Sequence, residues 1–354
     1  MTFFRTLTVI VTVVSMSAGV KAADFGTVVD VGQYSLIVSP YAYKALGGAT
    51  RSSWGRMSIS NAAGAAVMIG SVWGLKHIVD SKRPDGSDGK SFPSGHTAWA
   101  YLGASVIDYE ACWRSRLYPL GAYALASAIG VQRVLSHRHR PTDVVAGAAI
   151  GMCAARVGYF LHDLVAYRSL PRLGELPENG SVGVSLSSSL LFPLNPPSLI
   201  GYKGASSAEM LTSADVDVPV NSRVSVGGGV GLRMRAITSL GETPVADVEK
   251  RIVPRVTVAY SRQLGNYFRL GLKADAGVAV DVSDFAGVMM SRRISPRGGI
   301  GASLDFFSSE CATTGVVVGY DLTSVKYTFG HSTPVDVSKM VSSIEIGFRT
   351  LWRF

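Results

Sequence analysis

Three short segments concentrate side chains suited to handling an oxyanion. Lys76 is separated by six residues from Arg83-Pro84, and Pro93-Ser94-Gly95-His96 follows. Arg133, then His139 after five intervening residues, then Asp143 complete the set. Lys76, Arg83 and Arg133 supply fixed positive charge. The Arg forks can hold two oxygens at once, while Lys acts as a point charge. Ser94 offers a hydroxyl donor. Gly95 lets backbone N–H groups approach closely, and a helix starting just beyond it favours an anion at its N-terminus. His96 can give up a proton near neutral pH. Asp143 lies four positions after His139. A helix opening behind Pro141 would bring that carboxylate to the imidazole, to orient it and stabilise its charged form. Singly, these segments read as a helix-end charge cluster, a turn and a basic loop. Together they describe chemistry on a phosphate-like anion.

The chain that must position them has 354 residues, enough for two ordinary domains at roughly 100–200 residues each. Apolar residues make up 47% of it, so disorder is excluded. Charged residues are 17%, below the ~25% of an average soluble chain, which points to membrane contact. Residues 24–167 read as a helical bundle, with candidates at 31–46, 58–79, 97–108, 117–134 and 142–167. Asn61, Lys76, Arg156 and Asp163 interrupt the apolar runs and favour a compact bundle over membrane spans. Residues 168–180 form a linker containing Pro171, Gly174 and Pro177.

From residue 181 to 354 the period changes to two. Phe268, Leu270, Leu272, Ala274 and Ala276 alternate with Arg269, Gly271, Lys273 and Asp275, and the last residues repeat the pattern. The alternation predicts eight antiparallel strands, at 181–192, 207–220, 223–235, 252–262, 267–280, 298–306, 312–322 and 342–354. Short joins alternate with long ones, the latter at 193–206, 236–251, 281–297 and 323–341. An even strand number with this asymmetry describes an outer-membrane β-barrel. Eight strands leave room only for side chains, so the interior is a plug rather than a pore. Gly on that crowded inner face accounts for much of the chain's 39 Gly. Arg233, Arg235, Arg269 and Lys273 share it with Asp215, Asp217, Asp275 and Asp305, opposite signs that can pair. The fold class is thus α + β: a helical bundle followed by a barrel, whose terminal Phe354 resembles the assembly signal of bacterial outer-membrane barrels.

The three-segment set resembles the type 2 phosphatidic acid phosphatase superfamily, whose pattern is Lys-x6-Arg-Pro, Pro-Ser-Gly-His and Ser-Arg-x5-His-x3-Asp. The match is tight over residues 75–147. Gln132 stands where the family has Ser, and the gap from Pro84 to Pro93 is short. The resemblance implies that His139 attacks phosphorus to form a phosphohistidine, that Asp143 holds its ring and that His96 protonates the leaving oxygen. It further implies that Lys76, Arg83, Ser94, Gly95 and Arg133 hold the phosphoryl oxygens and that no metal is needed. His137 has the wrong spacing to Asp143 for the pattern, and His77 and His162 read as packing or surface residues. The implied substrate is a phosphomonoester or diphosphate, with a lipid such as lipid A or a phospholipid preferred. Two alternatives stand beside it: a vanadate-dependent haloperoxidase, which shares this anion site, and an outer-membrane structural protein with an inactive phosphatase-like half.

Charge and targeting fit that reading. Residues 23–175 carry 15 Lys and Arg against 10 Asp and Glu, so much of the net +9 lies with the anion site. No nucleic-acid recognition motif accompanies it. Residues 1–23 read as a secretory signal, with Arg5, an apolar run and a small residue at Ala22. Export predicts an outer-membrane barrel with the helical half in the periplasm, an oxidising compartment. Cys112 and Cys153 are candidates to pair there, with Cys311 left over.

Overall fold

The computed structural model describes residues 25–167, 181–195, 208–240, 243–265, 268–283, 289–291, 294–307, 311–329 and 335–354. The expected signal segment and the 168–180 linker lie outside the described residues.

Five helices form the first half: α1 (Phe25–Ala45), α2 (Trp54–Ile78), α3 (Gly95–Ala111), α4 (Leu117–Leu135) and α5 (Pro141–Tyr167). Ser53 caps α2, its hydroxyl accepting from the Arg56 N–H at 3.3 Å. Pro141 opens α5, where a missing N–H costs nothing. Several polar residues of these helices are paired inside the bundle. Arg156 reaches Asp108 at 2.7 Å, Arg56 reaches Asp163 at 2.8 Å, and Tyr159 donates to Glu110 at 2.6 Å. Two helices, Trp54–Ile78 and residues 141–166, are long and apolar enough to cross a membrane by length and composition.

Packing in the bundle is close enough to need glycine. A Cβ on Gly147 would sit 2.4 Å from the Ser94 carbonyl oxygen, and one on Gly151 2.2 Å from that of Ala98. These residues seat α5 directly on α3 and the loop before it. Glycine therefore serves this half as well as the barrel.

The second half is a closed antiparallel barrel. Its strands are β1 (Gly183–Pro193), β2 (Glu209–Pro219), β3 (Val224–Leu240), β4 (Thr243–Leu264), β5 (Phe268–Asp281), β7 (Ile294–Phe307), β8 (Ala312–Phe329) and β9 (Val335–Arg353). A three-residue β6 (Met289–Ser291) adds to β8. Closure comes from β9, which pairs with both β8 and β1. Two stretches expected as long joins are largely strand. The β3–β4 ladder runs on to Leu240↔Thr243, and β8–β9 to Phe329↔Val335. Beyond the apolar belt an outer face needs no apolar residues, so the two-residue period fades while the ladder continues.

The interior is a network of buried ion pairs. Arg233 bonds Glu209 and Asp321, Arg297 bonds Asp275 and Asp321, Arg255 bonds Asp215, and Arg349 bonds Asp305. In these pairs each charge taken from water is met by an opposite one, as burial requires. The outer wall is apolar and in large part uncovered: Val230, Val256, Ile300 and Val318 are all at least half exposed.

The helices pack on that outer wall. Tyr101 meets Phe348 edge-on at 5.8 Å, and Tyr123 meets Trp352 at 5.3 Å. The Trp352 indole donates to Asp108 at 3.0 Å, and Tyr101 and Ser188 hydroxyls lie 3.4 Å apart. One apolar cluster joins Val134, Val144 and Ala148 of the bundle to Met210, Met234 and Phe348 of the wall.

Candidate active site

All eight sequence-predicted residues fall at one end of the bundle. Lys76 lies in the last turn of α2 and Arg83 in the following loop. Ser94 caps α3, with Gly95 and His96 as its first two residues. Arg133 lies in the last turn of α4, His139 in the connection to α5, and Asp143 in the first turn of α5.

Backbone bonds lock these segments together. The Ser94 N–H donates to the Asp143 carbonyl at 2.9 Å, and the His139 N–H donates to the Arg133 carbonyl at 3.1 Å. The Asp85 N–H donates to the His137 carbonyl at 3.1 Å. His137 has φ 55°, a left-handed conformation uncommon for a side-chain-bearing residue. It acts here as a turn that directs the chain back toward His139.

His139 and Asp143 are both buried, with His139 Nδ1 3.7 Å from Asp143 Oδ2. The same carboxylate oxygen accepts the Arg140 N–H at 2.8 Å and the Ser91 hydroxyl at 2.5 Å. Ser91 also lies 3.5 Å from His139 Nδ1. It is fully buried and absent from the sequence-predicted set. No pattern of charge or spacing marks it, because its role depends on a loop folding onto the start of α5.

Burial disfavours the charged form of His139 and holds its pKa below the usual value, outweighing the upward pull of Asp143; the Arg133 and Arg83 cations lower it further. Burial likewise lowers Lys76, and the Arg83 guanidinium adds to that effect. Lys76 Nζ donates to the Lys90 carbonyl, and Arg83 Nε pairs with Asp88 at 2.8 Å. The Ser94 hydroxyl accepts from Thr97 at 3.0 Å, leaving its own proton to donate elsewhere. Among the described residues no cluster of three or more His, Cys, Asp or Glu could hold a metal.

Removing the Ser91 hydroxyl isolates its contribution. A hydrogen bond to a charged group is worth about 1.5–3 kcal/mol. Ser91→Ala is therefore expected to slow turnover roughly 10–100-fold through misplacement of Asp143, with KM nearly unchanged. Steady-state kinetics with the variant checks this, and an unaltered kcat would deny Ser91 that role.

Comparison with known proteins bears on the same residues. Residues 57–165 match the PAP2 superfamily and include every residue of the site. A lipid A 1-phosphatase of Porphyromonas gingivalis is 38% identical over 146 residues, covering 41% of this chain and 33% of that protein. A probable lipid phosphate phosphatase 4 of Arabidopsis thaliana is 31% identical over 81 residues, covering 20% of this chain and 26% of that protein. The chain thus spans about a quarter to a third of the length of these relatives. Among solved structures, the outer membrane protein OprG of Pseudomonas aeruginosa is similar with TM-score 0.38 and 14% identity, over 51% of this chain and 99% of that one.

Proposed function

We propose that this PAP2 superfamily domain is a metal-independent phosphatase acting on a lipid phosphate, held at the outer membrane by its barrel. The observation that carries the reading is the buried His139–Asp143 pair beside Arg133, Arg83 and Lys76. With Nδ1 facing Asp143, the His139 Nε2 lone pair is left for phosphorus. Attack forms an N–P bond and breaks the P–O bond to the leaving group, whose oxygen takes a proton from His96. His96 then accepts a proton from water, whose oxygen displaces His139 and releases phosphate. Lys76, Arg83, Arg133, the Ser94 hydroxyl and the Gly95 N–H bear the charge on the phosphoryl oxygens.

Two features support a lipid substrate. The uncovered barrel wall is an apolar surface suited to acyl chains. The site end of the bundle shares an apolar cluster with that wall, so a lipid lying against the strands would present its phosphate near the site. Lipid A and phospholipid phosphates are the substrate classes we put first. The domain division is read as 24–167 for the phosphatase and 181–354 for the barrel. Both barrel ends, Gly183 and Arg353, pair with one another at one rim, which we assign to the periplasmic side.

The reading is tested with full-length protein in detergent, assayed for phosphate release from lipid A, phosphatidic acid and a soluble aryl phosphate. Release from lipids supports it. Halide oxidation dependent on added vanadate, without phosphate release, would replace it with a haloperoxidase. Inactivity toward every ester would leave only the structural role.

The pH profile is a further check. His139 attacks only when neutral, and burial favours that form. Activity should therefore rise with pH through a value below the ordinary histidine pKa of about 6.5. The acid limb of kcat/KM, which reports the free enzyme, is expected there. A limb above that value would contradict the assignment of His139 as nucleophile.

A further inference from the structure

The three cysteines are distributed in a way that the phosphatase chemistry does not use. Cys112 caps the C-terminus of α3, its N–H donating to the Asp108 carbonyl at 3.3 Å. Asp108 in turn accepts the Trp352 indole N–H at 3.0 Å. Trp352 is the register partner of Ala312, the residue next to Cys311. The last turn of α3 is thereby fixed beside the start of β8. Both Cys112 and Cys311 are buried there, whereas Cys153 is exposed on α5.

We propose that Cys112 and Cys311 form a disulfide that covalently ties the helical half to the barrel wall. The two thiols are hydrogen-bonded to each other, and that bond, with the Arg116 guanidinium beside it, holds Cys311 below the usual thiol pKa. Arg116 also stands over the Phe354 ring at 5.9 Å, so it bridges the start of α4 and the end of β9 beside the pair. A thiolate is the attacking form in disulfide exchange. Cys311 attacks the disulfide of a thiol–disulfide oxidant, giving a mixed disulfide and one oxidant thiol. Cys112 then displaces the second oxidant thiol. In total two S–H bonds are lost, one S–S bond forms, and two electrons and two protons pass to the oxidant. Because both sulfurs are buried, the bond forms as the halves dock.

The pairing differs from the candidate pair read from the sequence, Cys112 with Cys153. No spacing within one chain half can reveal a partner contributed by the other half.

The proposal rests on the exported reading above, and its test separates the two. Full-length protein from outer-membrane fractions is denatured in N-ethylmaleimide without reductant, digested and mapped by mass spectrometry. The expected result is alkylation at Cys153 alone, with a linked peptide pair containing Cys112 and Cys311. Reduction should then expose both. Cys311→Ser is expected to raise the count of alkylated thiols from one to two while leaving lipid-phosphate hydrolysis intact. Three free thiols, both in membrane-derived protein and after incubation with oxidised glutathione, would overturn the proposal, as would a Cys112–Cys153 link. Hydrolysis is assayed on the same samples. Active protein with three free thiols removes only the disulfide, and linked but inactive protein removes only the phosphatase.

Discussion

His139→Ala is expected to lower kcat for phosphate release by roughly 10⁴–10⁶-fold, as loss of a nucleophile does in other covalent hydrolases. The effect should be this large because no neighbouring group can replace it. Asp143 has one oxygen engaged by Ser91 and the Arg140 N–H. Its carboxylate, moreover, faces His139 across 3.7 Å. His96→Ala should be graded by the substrate. An alkyl or lipid leaving group needs its oxygen protonated, so acid catalysis worth about 10²–10⁴-fold is lost. An aryl phosphate leaves without that help and should lose far less. His137→Ala is the control, since His137 contributes a backbone carbonyl to Asp85. Rapid-quench trapping of acid-labile phosphoprotein in the wild type, and its absence in His139→Ala, separates covalent catalysis from water activation. A His139→Ala variant retaining turnover within tenfold of wild type would refute the mechanism.

Much of this site is legible in the residues alone. Charged and proton-transferring groups must recur at fixed spacings to act on one phosphate, so Lys76, Arg83, Arg133, His139 and Asp143 announce themselves together. Helix α5 begins where Pro141 implies, and the barrel strands follow their alternation wherever one face meets an apolar surroundings. What is not legible arises between segments. Ser91 is one serine among many until its loop closes over Asp143. Trp352 looks like another outward aromatic, yet it is fully buried by the helices and bonded to Asp108. The same long-range contacts decide which cysteines meet. Strand ends at Leu240 and Phe329 escape notice because backbone pairing there outlasts the apolar pattern.

The glycine-to-backbone contact between α3 and α5 should be the most sensitive structural point in the catalytic half. In an open helical position, Gly→Ala stabilises by up to ~1 kcal/mol through helix propensity. Gly121 in α4, with nothing within 4 Å of a Cβ, is expected to behave that way. At Gly151 the same methyl would meet the Ala98 oxygen at 2.2 Å and the Leu102 nitrogen at 2.9 Å. Both are backbone atoms of α3, so no rotamer change can relieve the overlap. The helices must separate, and overpacking of this kind costs about 1–3 kcal/mol or more. The clash therefore outweighs the propensity gain and reverses the sign. Separation also moves Asp143 and His139 on α5's side of the site away from Ser94, Gly95 and His96 on α3's side. Gly151→Ala should thus lower kcat as well as melting temperature, and Gly151→Val should abolish activity. The barrel, closed by its own ladder, should keep its resistance to unfolding in detergent. Thermal melts read by circular dichroism, alongside phosphate release, distinguish the cases. A Gly151→Ala protein as stable and active as Gly121→Ala would show that α5 does not rest on α3 as tightly as the site requires.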